Sequence, residues 1–138
     1  MTQVHHIPTA KVAEYWAVVE PFLAKAVKRY SKDYDIEHVK AAIDRGEAAL
    51  WLVMCDGKPT AAITTTEVNY PKRKTFLIEL VGGIGADLWY YDTVKQLEQV
   101  ARATGYDTIE AVARGGWKHM AKDCGFKEIA THYEMELR

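Results

Sequence analysis

The stretch that decides the fold is 75–126, which reads TFLIELVGGIGADLWYYDTVKQLEQVARATGYDTIEAVARGGWKHMAKDCGF. An apolar strand pattern over 76–81 stops at a glycine cluster within 82–85, and an amphipathic helix pattern follows. A short strand over 108–112 comes next, and a second helix then leads into a final Gly-Phe pair. Because a strand–helix–strand crossover of this length makes its two strands parallel, we predict a parallel pair within the sheet.

The N-terminal half supplies one short strand and two helices. The strand covers 4–7 and is closed by a proline, and apolar residues three and four apart predict a helix over 12–30. Pro21 lies inside this pattern, so we expect a kink or a break there, with Pro21 opening the second piece. Asp35 is the expected N-cap of a short helix that Gly46 ends.

The middle and the end of the chain supply further strands. The apolar run 49–54, the threonine-rich run 60–70 and the run 75–81 form an antiparallel meander, and Asp56-Gly57 is a hairpin signal between the first two. The C-terminus alternates apolar and polar residues with a period of two, which predicts a half-buried terminal strand. The alternation runs through Ile129, Thr131, Tyr133, Met135 and Leu137.

We therefore predict a single α/β (α+β) domain over 1–138. Its sheet is mixed but mostly antiparallel, it has helices on both faces, and its one parallel strand pair lies at the functional site. The helix after the glycines should bury Leu88, Tyr91, Val94 and Leu97.

The composition narrows the function class. With 138 residues, 49% hydrophobic and 27% charged, the chain is typical of one globular domain. Its net charge of -1 argues against broad electrostatic binding of nucleic acid, and no run approaches the length of a membrane span. Two cysteines and five scattered histidines show no metal spacing, so we expect no metal, and free thiols suggest a reducing, cytoplasmic compartment.

The glycine cluster and the last Gly-Phe pair carry a resemblance to a known family. Gly83-Ile84-Gly85 followed by a helix, and Gly125-Phe126 closing another helix, resemble the GNAT N-acetyltransferase superfamily. This resemblance implies acetyl-CoA as cofactor, held at its pyrophosphate by backbone N–H groups of the glycine turn. The pattern is most similar to small GNAT-like proteins of tailed phages and prophages.

Two positions depart from the family pattern. Leu80 stands where an arginine or glutamine of the glycine loop is expected, and Ala121 stands where many members have a tyrosine as general acid. The turn 113–117 also replaces an asparagine-containing turn. The candidate cofactor-binding residues are Leu80, Val81, Gly82, Gly83, Ile84, Gly85, Ala86 and Arg114. The alternative for the glycines is a tight strand-to-helix turn with no ligand, and for Arg114 a surface loop.

The resemblance also implies a general base on the strand before the glycines. Glu79 is that candidate, and alternation predicts that it faces away from Ile78 and Leu80. Its structural alternative is a carboxylate paired with a residue of a neighbouring strand. Glu67 and Glu110 are runners-up, and Tyr133 and His119 are the candidate acids, although core packing of Tyr133 and solvent exposure of His119 are the plainer interpretations.

Two functions follow from these observations. The first is acyl-CoA-dependent transfer of an acetyl group to a primary amine of a small molecule or protein. The second is a non-catalytic phage or prophage accessory, or a virion-associated protein, that acts through protein contacts and for which four tryptophans and eight tyrosines offer aromatic surface. The expected macromolecular partners are a second copy in a homodimer or a virion protein.

Overall fold

The computed structural model describes residues 1–30 and 32–138, which build one five-stranded sheet in the order β1-β2-β3-β4-β5. The first three pairings are antiparallel, and β4 pairs with β5 in parallel. This arrangement confirms the predicted mixed sheet. The strands are β1 Thr2–Ile7, β2 Ala49–Cys55, β3 Lys58–Tyr70, β4 Arg73–Gly83 and β5 Thr108–Ala111.

Helices cover both faces of this sheet, as predicted. One face packs against α1 and α2, and the other packs against α3 and the segment that contains α4. No helix of the described ranges is long and apolar enough to cross a bilayer. The helices are α1 Val12–Tyr30, α2 Ile36–Asp44, α3 Tyr90–Ala103 and α4 Lys118–Asp123, with single 3-10 turns at Thr9–Lys11, Ala86–Leu88 and Gly115–Trp117.

The two faces of the sheet have separate apolar cores, which we call the α1-side core and the α3-side core. On β2, Leu50 and Leu52 point towards α1, whereas Trp51 and Val53 point towards α3. A strand buried on both sides needs a continuous apolar run, which is why 49–54 does not alternate with polar residues. At roughly 25 cal/mol per Å² of apolar surface removed from water, these two cores supply the main driving force for folding.

Local signals in the sequence fix two of the connections. Asp56 (φ 50°) and Gly57 (φ 79°) both have positive φ, as a two-residue β-hairpin turn requires. At the start of α2, the backbone N–H of Asp35 donates to Nδ1 of His38 at 3.0 Å. This is the reciprocal half of a capping box, with histidine in the place of the usual glutamate.

The expected break at Pro21 does not occur, because α1 runs without interruption through this residue. Proline removes one N–H, which leaves the carbonyl of Ala17 without its helical partner. Both residues are exposed, so water can reach that carbonyl. Of the expected kink or break, the break is wrong, because the exposed position of the proline lets the helix continue past it.

The predicted buried face of α3 also needs correction. Leu88 is 83% exposed and Tyr91 is 48% exposed, whereas Trp89, Thr93 and Leu97 are buried. The reason is that Leu88 belongs to the 3-10 turn before α3, so its position is not set by the 3.6-residue period of the helix.

The predicted terminal strand is the largest correction. Residues 127–138 join no sheet, and Tyr133, Met135 and Leu137 are each more than 80% exposed. A strand needs a pairing partner as well as an alternating pattern. In this structure the segment has the alternating sequence pattern of a strand, but no other strand pairs with it.

Candidate active site

The site begins where the two parallel strands separate. The β4–β5 ladder runs from Thr75 opposite Thr108 to Ile78 opposite Ala111, and it stops there. The strand β4 continues for five more residues, to Gly83, paired only with β3. Backbone N–H and C=O groups of β4 that face β5 beyond Ile78 therefore have no strand partner in this sheet. A wedge opens between β4 and the chain that leaves β5.

A β-bulge marks the mouth of this wedge. On β3, Thr65 lies opposite Ile78 and Thr64 lies opposite Leu80, so Glu79 has no residue across from it. The extra residue reverses the alternation, because Ile78 packs in the α3-side core and Leu80 packs in the α1-side core. The prediction that Ile78 and Leu80 share a face is wrong, since strict alternation assumes an unbulged strand.

The wedge leads into an apolar cavity of about 80 Å³ on the α3 side of the sheet, which we call the α3-side cavity. Strands β4 and β5, the 111–113 segment and the facing sides of α3 and α4 enclose it. Met120 and Ala121 of α4 are among the residues that line it. Its deeper walls come from Val81, Trp89, Thr93, Leu97, Met120 and Cys124.

A second cavity of about 270 Å³ lies on the other face of the sheet, which we call the α2-side cavity. Tyr34, His38 and Val39 line it on one side, and Thr64 and Glu79 line it on the other. Glu79 lines both cavities. The bulge therefore places one carboxylate at the junction between the two spaces.

Glu79 is hydrogen-bonded to a residue of a neighbouring strand, as its structural alternative expected. The hydroxyl of Thr66 on β3 donates to Oε1 of Glu79 at 3.2 Å. Glu79 is exposed, so its other oxygen sites remain accessible to a solvent molecule or a substrate. A carboxylate held from one side and open on the other can accept a proton from a bound amine.

The α3-side cavity contains an unusual polar atom. Thr93 is 2% exposed, and its hydroxyl has no hydrogen-bond partner within the described part of the chain. A buried hydroxyl without a partner costs about 1–3 kcal/mol. Because Thr93 lines the cavity, a ligand with a carbonyl or amide group there would remove this cost.

We expect Thr93→Val to bind such a ligand less tightly while the protein remains at least as stable as the wild type. Valine has nearly the same shape and removes the unpaired hydroxyl, so the loss of affinity would be about fivefold to 100-fold, the equivalent of one neutral hydrogen bond or somewhat more. Thermal unfolding and calorimetric titration with acetyl-CoA measure the two effects separately. Thr104→Val is a matched control, since that hydroxyl donates to the carbonyl of Val100 at 2.7 Å, away from both cavities.

The cavity wall formed by α4 is tied to α3 by polar contacts. The hydroxyl of Tyr90 donates to Asp123 at 2.8 Å, and this bond raises the pKa of Tyr90. Nζ of Lys95 donates to the carbonyl of Cys124 at 3.2 Å. Burial raises the pKa of the Cys124 thiol, so it stays neutral and is a poor nucleophile. Cys124 therefore acts as an apolar wall residue.

The first two glycines of the cluster serve packing. A Cβ on Gly82 would lie 1.9 Å from the carbonyl oxygen of Phe22, so α1 approaches β4 closely enough to exclude any side chain there. A Cβ on Gly83 would lie 2.4 Å from Cβ of Ala61 on β3. Both residues lie within β4, so their lack of a side chain serves close packing against α1 and β3 and not a tight turn.

The rest of the turn offers fewer N–H donors than the sequence suggested. The N–H of Ile84 donates to the carbonyl of Thr60 at 3.1 Å, and it is therefore engaged. Gly85 has φ +65°, which an L side chain rarely adopts. The buried indole N–H of Trp89 donates to the carbonyl of Ile84 at 2.7 Å and closes the turn. The backbone N–H groups of Gly85 and Ala86 lie at the start of the 3-10 turn. Within the described part of the chain, neither N–H group has a hydrogen-bond acceptor.

The other predicted cofactor residues are scattered around this turn. Leu80 is 2% exposed in the α1-side core, so its side chain lines only the α2-side cavity. Val81 lines the α3-side cavity, and Ala86 packs against the α3-side core. Arg114 is exposed just beyond the 111–113 edge of that cavity, and its carbonyl accepts the N–H of Trp117 at 3.0 Å.

The two candidate acids are not brought to either cavity. Tyr133 is 85% exposed in the unpaired C-terminal segment, and His119 is exposed on α4, on the side away from the cavity wall. Neither lines the α3-side or the α2-side cavity. The core packing expected for Tyr133 is also wrong, because its strand does not form within the chain.

The runner-up carboxylates are engaged elsewhere on the sheet. Glu110 accepts from Arg73 at 3.0 Å, across the end of the β4–β5 pair. Glu67 accepts from Asn69 at 2.9 Å and from Tyr106 at 3.0 Å, and these bonds hold the pKa of Glu67 below its ordinary value. Neither carboxylate lines the α3-side or the α2-side cavity, whereas Glu79 lines both.

No group of three or more metal-binding side chains occurs within residues 1–30 and 32–138. Sequence reasoning missed the polar residue that the cavity buries, Thr93, and the ring pair of Trp89 and Trp117, whose centroids lie 6.4 Å apart. A threonine within an otherwise apolar helix face is the signal that could have indicated Thr93. That signal could be used only if the buried face of α3 had been predicted correctly.

Comparison with known proteins identifies the fold. No family model matches the chain, and no curated protein sequence matches it significantly. Solved structures match it over nearly its whole length. An aminoglycoside acetyltransferase from an uncultured soil metagenomic sample, in complex with sisomicin, has a TM-score of 0.71 at 9% identity and covers 99% of this chain and 97% of its own.

Two further structures agree with this match. A ribosomal-protein-alanine N-acetyltransferase from Brucella melitensis biovar Abortus 2308 has a TM-score of 0.74 at 10% identity, with complete coverage of both chains. A predicted acetyltransferase from Clostridium acetobutylicum, with acetyl-CoA, has a TM-score of 0.68 at 10% identity and covers 99% of this chain and 97% of its own. The chain therefore has the GNAT acetyltransferase fold that its glycine turn and Gly-Phe pair predicted.

Proposed function

We propose that this protein is an acyl-CoA-dependent N-acyltransferase that transfers an acetyl group to a primary amine. The observation that carries the proposal is the position of Glu79 on a β-bulge, at the junction of two cavities and at the point where β4 and β5 part. One carboxylate there can reach a group bound on either face of the sheet. Bulges that redirect a side chain are common beside active sites.

The wedge and the α3-side cavity fit the thioester arm of acyl-CoA. Unpaired backbone groups of β4 beyond Ile78 can bond the amides of that arm as a neighbouring strand would. The unpartnered hydroxyl of Thr93 offers one further hydrogen bond, and the apolar walls suit an alkyl chain. When bound, acyl-CoA supplies an activated acyl group.

The turn at 84–87 is the remaining part of the cofactor proposal. Gly85 and Ala86 present backbone N–H groups at the start of a 3-10 turn that leads directly into α3, whose N-terminus favours an anion. With Leu80 in place of a loop arginine or glutamine, a charge-assisted bond of about 1.5–3 kcal/mol is absent. We therefore expect micromolar affinity that is weaker than that of a complete glycine loop.

The amine would enter from the α2-side cavity. Glu79 is the carboxylate among the residues that line it, so it offers the negative charge that a protonated amine seeks. Glu79 then takes a proton from the amine, directly or through one water, which frees the nitrogen lone pair. Similar folds are known with sisomicin bound and with acetyl-CoA, so polyamine sugars and N-terminal alanine peptides are the first substrates to screen.

Calorimetric titration with acetyl-CoA tests the cofactor proposal. Ala113→Trp places an indole at the exposed edge of the α3-side cavity and should abolish binding without disturbing the core. Ala103→Trp, at the exposed end of α3, is the matched control and should bind like the wild type. If Ala113→Trp and the wild type bind equally well, the α3-side cavity is not the cofactor site.

A second candidate function is a non-catalytic module that acts through protein contacts, such as a phage or prophage accessory or a virion-associated protein. The exposed apolar side chains of Ile129, Tyr133, Met135 and Leu137 favour it, because a lone chain has no use for them. Gly82 and Gly83 allow close packing of the strand whether or not the protein binds a cofactor. Absence of any heat or thermal shift with millimolar acetyl-CoA would favour this second function.

A further inference from the structure

The α2-side cavity contains a histidine whose proton is placed by the fold. His38 is exposed, lines this cavity and occupies the third position of α2. Its Nδ1 accepts the backbone N–H of Asp35 at 3.0 Å, as part of the capping box. A neutral imidazole has one protonated nitrogen, and a nitrogen that accepts a hydrogen bond is the unprotonated one. The proton of His38 therefore lies on Nε2, which makes this nitrogen a donor.

The remaining wall of the cavity defines which groups a ligand would meet. Glu79, on the side opposite His38, supplies a negative charge. Thr64 is 1% exposed and brings a hydroxyl to the buried part of the wall. No lysine or arginine of the described ranges lines the cavity. A carboxylate on a ligand would therefore lose water there without gaining a cationic partner, and Glu79 would repel it.

The volume of the cavity limits the size of this ligand. A cavity of about 150 Å³ accommodates benzene, so the 270 Å³ of the α2-side cavity correspond to about ten non-hydrogen atoms. A molecule of this size can present one group to Glu79 and another to His38, because the two residues lie on opposite sides of the same space. The cavity thus favours a compact molecule with a cationic end and a neutral end that accepts a hydrogen bond.

We propose that the amine substrate has up to about ten non-hydrogen atoms, carries a neutral oxygen such as an ether, a hydroxyl or an amide carbonyl, and has no carboxylate. Its amino group lies against Glu79, and its oxygen accepts from Nε2–H of His38. The inference rests on the proposed acyl transfer and deepens it, because it names the class of amine and makes His38 the residue that selects it.

The selectivity that His38 supplies is that of one neutral hydrogen bond. Because His38 is exposed, an amine without the oxygen leaves Nε2–H to water rather than buried and unpaired. The difference in affinity between two otherwise equal amines is therefore about threefold to tenfold. The bond is present in the bound substrate as well as during the reaction, so it should change KM and leave kcat nearly unaltered.

NMR titration of the full chain with two pairs of amines tests the proposal. Oxane-4-amine is cyclohexylamine with one ring methylene replaced by an ether oxygen, so the pair differs only in the group that His38 would bind. The second pair is trans-4-aminocyclohexanecarboxamide and the corresponding carboxylate, of which the wild type should bind the amide more tightly. Long-range nitrogen–proton spectra of the imidazole should place the proton of His38 on Nε2.

Two substitutions separate the donor from the helix cap. Both His38→Gln and His38→Glu put a usual capping-box residue at this position, so each keeps an acceptor for the N–H of Asp35. Only glutamine also has an N–H donor. The affinity for oxane-4-amine relative to cyclohexylamine should stay at the wild-type value in His38→Gln and fall by about threefold to tenfold in His38→Glu. The added charge acts equally on the two amines, so their ratio is insensitive to it.

His119→Glu is the matched control, since His119 is exposed on α4 and lines neither cavity. A relative affinity that His38→Glu leaves unchanged would overturn the inference. So would a proton on Nδ1, or a carboxylate that binds as tightly as the amide. Release of coenzyme A with the same amines separates the two proposals. Selective binding without any transfer would overturn the acyl-transfer function and support recognition by His38, whereas transfer to both ring amines without the His38-dependent ratio would overturn this inference alone.

Discussion

Glu79→Gln is expected to lower the rate of acyl transfer by about 10²–10⁴-fold, the range that a positioned general base contributes. Glutamine keeps the size of the side chain and can still accept from Thr66, but it cannot take a proton from an amine. Since Glu79 is exposed, the variant should unfold at nearly the wild-type temperature and bind acetyl-CoA unchanged. The assay is release of free coenzyme A during a screen of primary amines.

Glu67→Gln is the control for this experiment. Glu67 is also a carboxylate on the sheet, but it is bound to Asn69 and Tyr106 and lines neither cavity. Its replacement should leave the transfer rate within about twofold of the wild type while costing some stability. A Glu79→Gln protein that keeps the wild-type rate would remove the base assignment, even if acetyl-CoA binding through the wedge were verified.

Gly82→Ala is expected to destabilise the protein by about 3 kcal/mol or more and to lower the melting temperature by about 10 °C. The added methyl would lie 1.9 Å from the carbonyl oxygen of Phe22 and 2.7 Å from its carbonyl carbon. These are backbone atoms of α1, so they cannot move aside as the end of a flexible side chain can. Either α1 shifts away from β4 or the variant fails to fold.

Gly116→Ala supplies the comparison. A Cβ there meets nothing within 4 Å, and Gly116 has no positive φ, so its melting temperature should stay within about 2 °C of the wild type. Thermal unfolding by circular dichroism measures both variants. Equal melting temperatures for the two would show that α1 does not approach β4 as closely as the structure has it, and Gly82 would return to the list of ligand contacts.

The predictions that held depend on neighbours along the chain. The Asp56-Gly57 turn needs only two residues with positive φ, and the capped start of α2 needs only Asp35 and His38. The parallel pair of β4 and β5 follows from the length of the crossover between them. In each case the physical cause lies within a few residues or in the connection itself, so the sequence alone carries it.

The errors have the opposite origin. The face of α3 was misplaced because a 3-10 turn precedes the helix, and the break at Pro21 failed because solvent reaches the carbonyl of Ala17. The C-terminal strand failed because alternation predicts a strand only where a partner exists. A sequence pattern shows which apolar side chains of a segment could be buried. Whether they are buried depends on whether another segment packs against them.

By itself, the sequence determined the order of elements as far as α4, the mixed sheet, and Glu79 as the carboxylate on the strand before the glycines. Only the tertiary structure decided that this residue sits on a bulge between two cavities, because a bulge is a property of the β3–β4 register. It also decided that Gly82 accommodates the carbonyl of Phe22, sixty residues earlier in the chain. Contacts between distant segments depend on how whole elements pack, and no local pattern records that packing.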